Sequence, residues 1–207
     1  MIKNIVFDID RTLVDSYECE MSSLKKAIQK SVSRKFPEEI FEKLTVLPTK
    51  EFFQLLKLSP DEVKKVNKEW DIEYKKNPPK CFRGIKSLIK DLQKEYRVSI
   101  LTSRTLEEFQ ELEEELKEIQ KHFDVVVTSD QVSKPKPHPE SMQKLYEEYA
   151  YVPEETVYIG DSEIDYYMAR YAKCHFIQAI WDNDVVEHTC FVAKNPRDIQ
   201  EIVRNIK

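Results

Sequence analysis

Glycine is nearly missing from this chain: Gly84 and Gly160 are its only two in 207 residues. That excludes the GxGxxG dinucleotide loop and the GxxxxGK phosphate loop, both built on glycine backbone. No apolar run approaches the roughly 18 residues that a membrane-spanning helix needs, so no membrane partner is expected. Cys19, Cys81, Cys174 and Cys190 are widely spaced, form no CxxC pair and join no Cys/His ligand pattern, so inert free thiols are expected. Excess positive charge is also lacking, with 33 Lys and Arg against 38 Asp and Glu for a net charge of −5. Such a balance argues against nucleic-acid binding by charge alone. A small anionic substrate stays open, because a few local cations hold a phosphate. The opening Met1–Phe7 has no signal-peptide pattern, and the expected location is cytoplasmic.

What is present describes a globular α/β protein. Hydrophobic residues make up 41% and charged residues 34%, enough for a core and a solvated surface. The length suits one core domain with an inserted subdomain. Ile2–Phe7 reads as a buried strand ending at Asp8. Tyr17, Met21, Leu24, Ile28 and Val32 then mark a helix face. Further apolar groups at Ile40–Leu44 and Phe52–Leu56 predict two more helices. Ser59-Pro60-Asp61-Glu62 has the N-cap, N1 and N3 residues of a helix start, and Asn77-Pro78-Pro79 stops that helix. Residues 16–80 are therefore expected to form an all-helical insertion, with 1–15 and 81–207 as the core. Beyond Gly84 helical stripes alternate with strands at Val98–Leu101, Asp124–Val127, Thr156–Ile159 and His175–Ile180, and Asn195-Pro196 opens a last helix. Leu106, Phe109, Leu112, Leu116 and Ile119 are read as one stripe, whose glutamates make a solvated face. Alternating strands and helices predict a Rossmann-like parallel sheet covered on both faces.

Ligands of such sheets bind at the carboxyl ends of the strands. Those ends hold Asp8-Ile9-Asp10-Arg11-Thr12, Thr102-Ser103-Arg104, the loop Ser133-Lys134-Pro135-Lys136-Pro137, and Gly160-Asp161-Ser162-Glu163-Ile164-Asp165. Clustered carboxylates repel one another unless a cation sits among them. Oxygen ligands without His or Cys point to Mg2+. A metal, a lysine and a hydroxyl together make a pocket for a phosphoryl group. One carboxylate can serve as the nucleophile and a second as acid and base.

Phe7-Asp8-Ile9-Asp10-Arg11-Thr12-Leu13-Val14-Asp15-Ser16 closely resembles the first motif of the haloacid dehalogenase superfamily, DxDGT followed by LxDS. Thr102 resembles the second motif, Lys134 in its KPxP context the third, and Gly160-Asp161-Ser162 through Asp165 the fourth. A helical insertion between the first two motifs is similar to the C1-capped, phosphoglycolate phosphatase-like branch. The resemblance implies a phosphatase for a small phosphorylated metabolite, a monomer or homodimer. Asp8 would be nucleophile and metal ligand, and Asp10 acid/base with its carbonyl on the metal. Asp161 would bind Mg2+, and Asp165 would bind it or hold a bound water or Lys134. Thr102, Ser103 and Lys134 would hold the phosphoryl group. Arg104 and Lys50 are candidates for substrate specificity. Arg11 stands where glycine is usual, and a tolerant backbone is expected there, with its side chain toward solvent or in an ion pair.

Two other readings compete. A β-phosphoglucomutase-type phosphomutase would use the same residues. A phosphorylated regulatory module also joins acids, Thr and Lys on an α/β sheet, but its acids are not spaced Asp-x-Asp and it has no room for the insertion. Asp10 argues against dehalogenation, which lacks the second acid. Tyr166, Tyr167, Tyr171, Trp70 and Trp181 are expected to pack, and His138 to face solvent.

Overall fold

From Tyr17 on, apolar side chains recur every three or four residues, and the chain there is helical. The computed structural model describes residues 1–45, 49–181, 185–186, 189 and 191–206; Cys190 lies outside them. They divide into two compact units, Met1–Asp15 with Lys80–Lys207, and Ser16–Pro79. The second unit holds α1 (Tyr17–Ser31), a 3-10 segment over Glu38–Thr45 where an ordinary helix is predicted, α2 (Thr49–Leu55) and α3 (Pro60–Lys76). Ser59 starts α3 as its sequence predicts: its hydroxyl accepts from the Glu62 N–H, and the Glu62 carboxylate accepts from the Ser59 N–H. Leu24, Ala27, Ile28, Phe52, Phe53 and Val66 form this unit's own apolar core, with Trp70 packed against it.

In the first unit, β1 (Asn4–Phe7) is buried along its whole length. Around it stand β4 (Arg97–Leu101), β5 (Val125–Val127), β6 (Thr156–Gly160), β7 (His175–Ala179) and β8 (Val192–Ala193), while β2 (Val14–Asp15) and β3 (Lys80–Cys81) form a separate antiparallel pair. The large sheet runs β5-β4-β1-β6-β7-β8 and all its pairings are parallel. Strand alternation sorts the side chains between two cores. Ile5, Phe7, Ile100, Val157 and Ile159 face one layer, with α4 (Ile85–Leu92), α5 (Leu106–Gln110), α6 (Glu113–Gln120) and α9 (Pro196–Asn205). Val6, Leu101 and Tyr158 face the other, with α7 (Glu140–Tyr149) and α8 (Glu163–Tyr171). Burial on both faces is why these strands read as continuous apolar runs. The stripe from Leu106 to Ile119 is two helices, α5 and α6, interrupted at Glu111 and Leu112. Leu112, Leu116 and Ile119 stay buried across that interruption, so the apolar spacing carries no sign of it.

Strand order places the chemistry. The chain winds from β1 through β4 to β5 on one side, then crosses to β6 and winds outward through β7 to β8. The reversal leaves a crevice at the carboxyl ends of β1, β4 and β6, the usual ligand position in an open α/β sheet.

Candidate active site

Asp8 follows β1 directly, and its N–H donates to the Ile159 carbonyl of β6 (2.8 Å), which fixes it at the centre of the crevice. Thr102 follows β4, with its N–H on the Val127 carbonyl (3.0 Å). Asp161 follows β6, and its carbonyl accepts from the buried Gln178 side chain (3.1 Å). Three strand ends thus deliver two carboxylates and a hydroxyl to one place.

The lysine that joins them is Lys136, and this corrects the expectation for Lys134. Lys136 Nζ donates to Asp8 Oδ1 (2.8 Å), to Asp165 Oδ1 (2.8 Å) and to the Tyr158 hydroxyl (3.0 Å), so all three of its hydrogens are used. Its side chain is only 5% exposed. Lys134 lies two residues earlier, exposed, where its N–H and that of Ser133 bind the Glu140 carboxylate and turn the loop outward. The K-P-x-P pattern occurs twice in overlap, as Lys134-Pro135-Lys136-Pro137 and as Lys136-Pro137-His138-Pro139; the second frame marks the residue in the site. Tyr158 also escapes the sequence reading, since a tyrosine inside an apolar strand looks like core. Its hydroxyl accepts from Lys136 and lies 3.0 Å from Asp165 Oδ1, to which it donates. Burial, then the charges of Asp165 and Asp8, hold the phenol protonated.

Asp165 is a strut for this arrangement. Its Oδ1 takes Lys136 and Tyr158, and its Oδ2 accepts from the Ser162 N–H (3.2 Å) and hydroxyl (2.6 Å) at the start of α8. Gly160 makes room for it: a Cβ there would lie 2.6 Å from Asp165 Cβ. Burial works to raise the Asp165 carboxyl, but the Lys136 charge and the hydrogen bonds outweigh it and the group sits below its ordinary value. Asp8 goes the other way, with burial pushing it well up against the partial offset of Lys136. Asp161 is raised to about 6 by burial and by the Asp165 charge. One oxygen from each of Asp8, Asp161 and Asp165 lies within 4.8 Å of the others, all three residues buried. Asp8 and Asp161, crowded and made hard to ionise by burial, are carboxylates that a small hard cation relieves.

Two arginines reach the acids. Arg104 grips Asp10 through one guanidinium edge, Nε to Oδ2 at 2.8 Å and Nη2 to Oδ1 at 2.5 Å. Arg11 Nε stands 3.4 Å from Asp161 Oδ2, with the Arg11 side chain 37% exposed. Its φ of 58° is left-handed, so the position does ask for the conformation glycine adopts freely, and arginine takes it under strain. Trp181 steadies the same loop, donating from Nε1 to the Thr12 carbonyl (2.9 Å) and packing edge-on against Phe82. Ser103 is exposed next to the buried Thr102 and Arg104, and Lys50 is exposed on α2 of the helical unit. Tyr166 packs on Phe176, whereas Tyr167 and Tyr171 stack on each other with Tyr171 exposed. Among the described residues no helix is long and apolar enough to cross a membrane.

Comparison with known proteins places this geometry in a family. Residues 5–179 match the family model described as haloacid dehalogenase-like hydrolase. The pyrophosphatase PpaX of Bacillus mycoides (strain KBAB4) is 27% identical over 187 residues, which cover 87% of this chain and 84% of that protein. PpaX of Bacillus cereus (strain G9842) is 27% identical over 171 residues, covering 79% and 76%. Among solved structures, a HAD-superfamily hydrolase of subfamily IA, variant 1, from Geobacter sulfurreducens PCA superimposes with a TM-score of 0.78 at 21% identity, over 98% of this chain and 96% of that one. A haloacid dehalogenase-like family hydrolase from Streptococcus pneumoniae gives 0.78 at 21%, over 97% and 98%. With four strand ends carrying the acids, hydroxyl and lysine of one site, and a family model spanning residues 5–179, the chain belongs to the haloacid dehalogenase-like hydrolases.

Proposed function

We propose that this protein is a Mg2+-dependent phosphatase that hydrolyses a small phosphorylated metabolite through an aspartyl-phosphate on Asp8. The observation that carries the reading is the buried Asp8–Lys136–Asp165 arrangement beside Asp161. A lysine with every hydrogen engaged fixes one oxygen of Asp8 and leaves the other to act as nucleophile.

The chemistry then assigns itself by position. Asp8 attacks phosphorus in line as the bond to the leaving oxygen breaks, and Asp10 supplies that oxygen with a proton. Water next attacks the aspartyl-phosphate, gives its proton to Asp10, and releases phosphate with the Asp8 carboxylate restored. The Thr102 hydroxyl accepts from the Arg104 N–H (3.1 Å), which leaves its own hydrogen for a phosphoryl oxygen. Asp8, Asp161 and the Asp10 carbonyl would hold Mg2+, with Asp165 orienting Lys136. When bound, the ion supplies positive charge that lets the crowded carboxylates ionise and offsets charge developing on the phosphoryl oxygens.

Phosphate release tests this, measured on a panel containing inorganic pyrophosphate, 2-phosphoglycolate, sugar phosphates and nucleoside monophosphates. We expect turnover of at least one of them with Mg2+ and none in EDTA. Equal rates with and without the ion would refute the metal requirement. A lasting phosphate on Asp8 with no net release would move the assignment to a phosphomutase.

A further inference from the structure

We propose that Arg104 is a positioning residue for the acid/base carboxylate, acting through Asp10 and not on the substrate's phosphate. This rests on the reading of Asp10 given above. A free carboxylate turns about its last torsion with little preference. Two parallel N–H bonds from one rigid guanidinium fix its plane as well as its place. Asp10 receives that fork, from Nε and Nη2, and its side chain is 28% exposed while that of Arg104 is 10% exposed.

The fork is itself anchored. The Arg104 N–H bonds the Thr102 hydroxyl (3.1 Å), and the Arg104 carbonyl accepts from the Ser129 N–H (2.8 Å). One residue therefore ties both pieces of chemistry to the end of β4. Its N–H takes an acceptor position on the Thr102 hydroxyl, which leaves that hydroxyl's hydrogen to donate, and its side chain sets the acid/base carboxylate. A cation engaged in this way is badly placed to grip substrate, against the sequence expectation that Arg104 sets specificity. Lysine at this position would keep the charge and lose the fork, so it separates orientation from charge.

The test is a double-mutant cycle on kcat/KM with two probes. β-Glycerol phosphate has a poor leaving group that needs the proton from Asp10; p-nitrophenyl phosphate has a good one that does not. Arg104→Lys is expected to lower kcat/KM by about tenfold or more on the alkyl ester and by less than about threefold on the aryl ester. In an Asp10→Asn background the same change should cost less than about twofold on either. Equal losses in both backgrounds, or a raised KM for both esters, would show Arg104 acting on the phosphate and overturn the proposal; so would wild-type rates in Arg104→Lys. If the lysine variant folds poorly, Arg104→Gln in the Asp10→Asn background, where no charge is left unpaired, separates the same two outcomes. If Asp10→Asn alone lowers both esters equally, the acid/base reading of Asp10 fails, and that result involves no change at Arg104.

Discussion

Lys134 and Lys136 are two residues apart in the same Pro-rich loop, yet only Lys136 contacts the acids. Lys136→Met should abolish turnover and, by stranding two buried carboxylates, destabilise the fold by about 3–5 kcal/mol. Lys134→Met, at an exposed position, should stay within about 0.5 kcal/mol of wild type and keep its activity. Urea unfolding with parallel assays checks both, and full activity in Lys136→Met would remove it from the site. Gly160→Ala belongs to the same scale. The added methyl would lie 2.6 Å from Asp165 Cβ, not against a flexible tip, so α8 or β6 must shift. We expect a loss of about 1–3 kcal/mol, with activity falling because Asp165 steers Lys136. Asp8, Asp10, Thr102, Asp161 and Asp165 could be placed from the sequence because each stands at a strand end or in a helix's first turn. Lys136 could not, since K-P-x-P fits two frames and only the fold of the loop chooses between them. Tyr158 was hidden by sharing the burial of its apolar neighbours.

The elements show the same division. Five strands of the large sheet and the start of α3 could be read because burial or capping chemistry repeats over several residues. β2, β3 and β8 have two residues each, too few to show a period. The α5–α6 interruption has no glycine or proline to announce it. Within the helical unit, Glu73 of α3 is paired with Lys30 of α1 (2.5 Å) and with Lys76. Hydrogen bonds from Lys30, then Lys76, lower its carboxyl from 4.5 to about 2. A folded-state value below the unfolded one gives stability that is present above 4.5 and is lost as pH falls through about 2. The gap in urea midpoint between wild type and Glu73→Gln should therefore be widest near neutral pH and close on acidification across that window. A gap that held constant with pH would show the pair contributing nothing through its charge.

At the scale of the whole molecule, sheet order brings together residues more than a hundred positions apart, as Asp8 and Lys136 are. The sequence could say which strand ends carry polar groups. That these ends are neighbours follows only from β1 lying between β4 and β6. Substrate choice has no such regularity: Lys50, the one candidate named on the helical unit, is an exposed lysine without a motif around it. In the proposed reaction Asp8 receives the phosphoryl group. Its most direct test is phosphate release by Asp8→Asn on the best substrate of the panel, with unfolding followed alongside. Asp8→Asn is expected to lose at least about 10⁴-fold in an intact fold. Turnover within tenfold of wild type would contradict it.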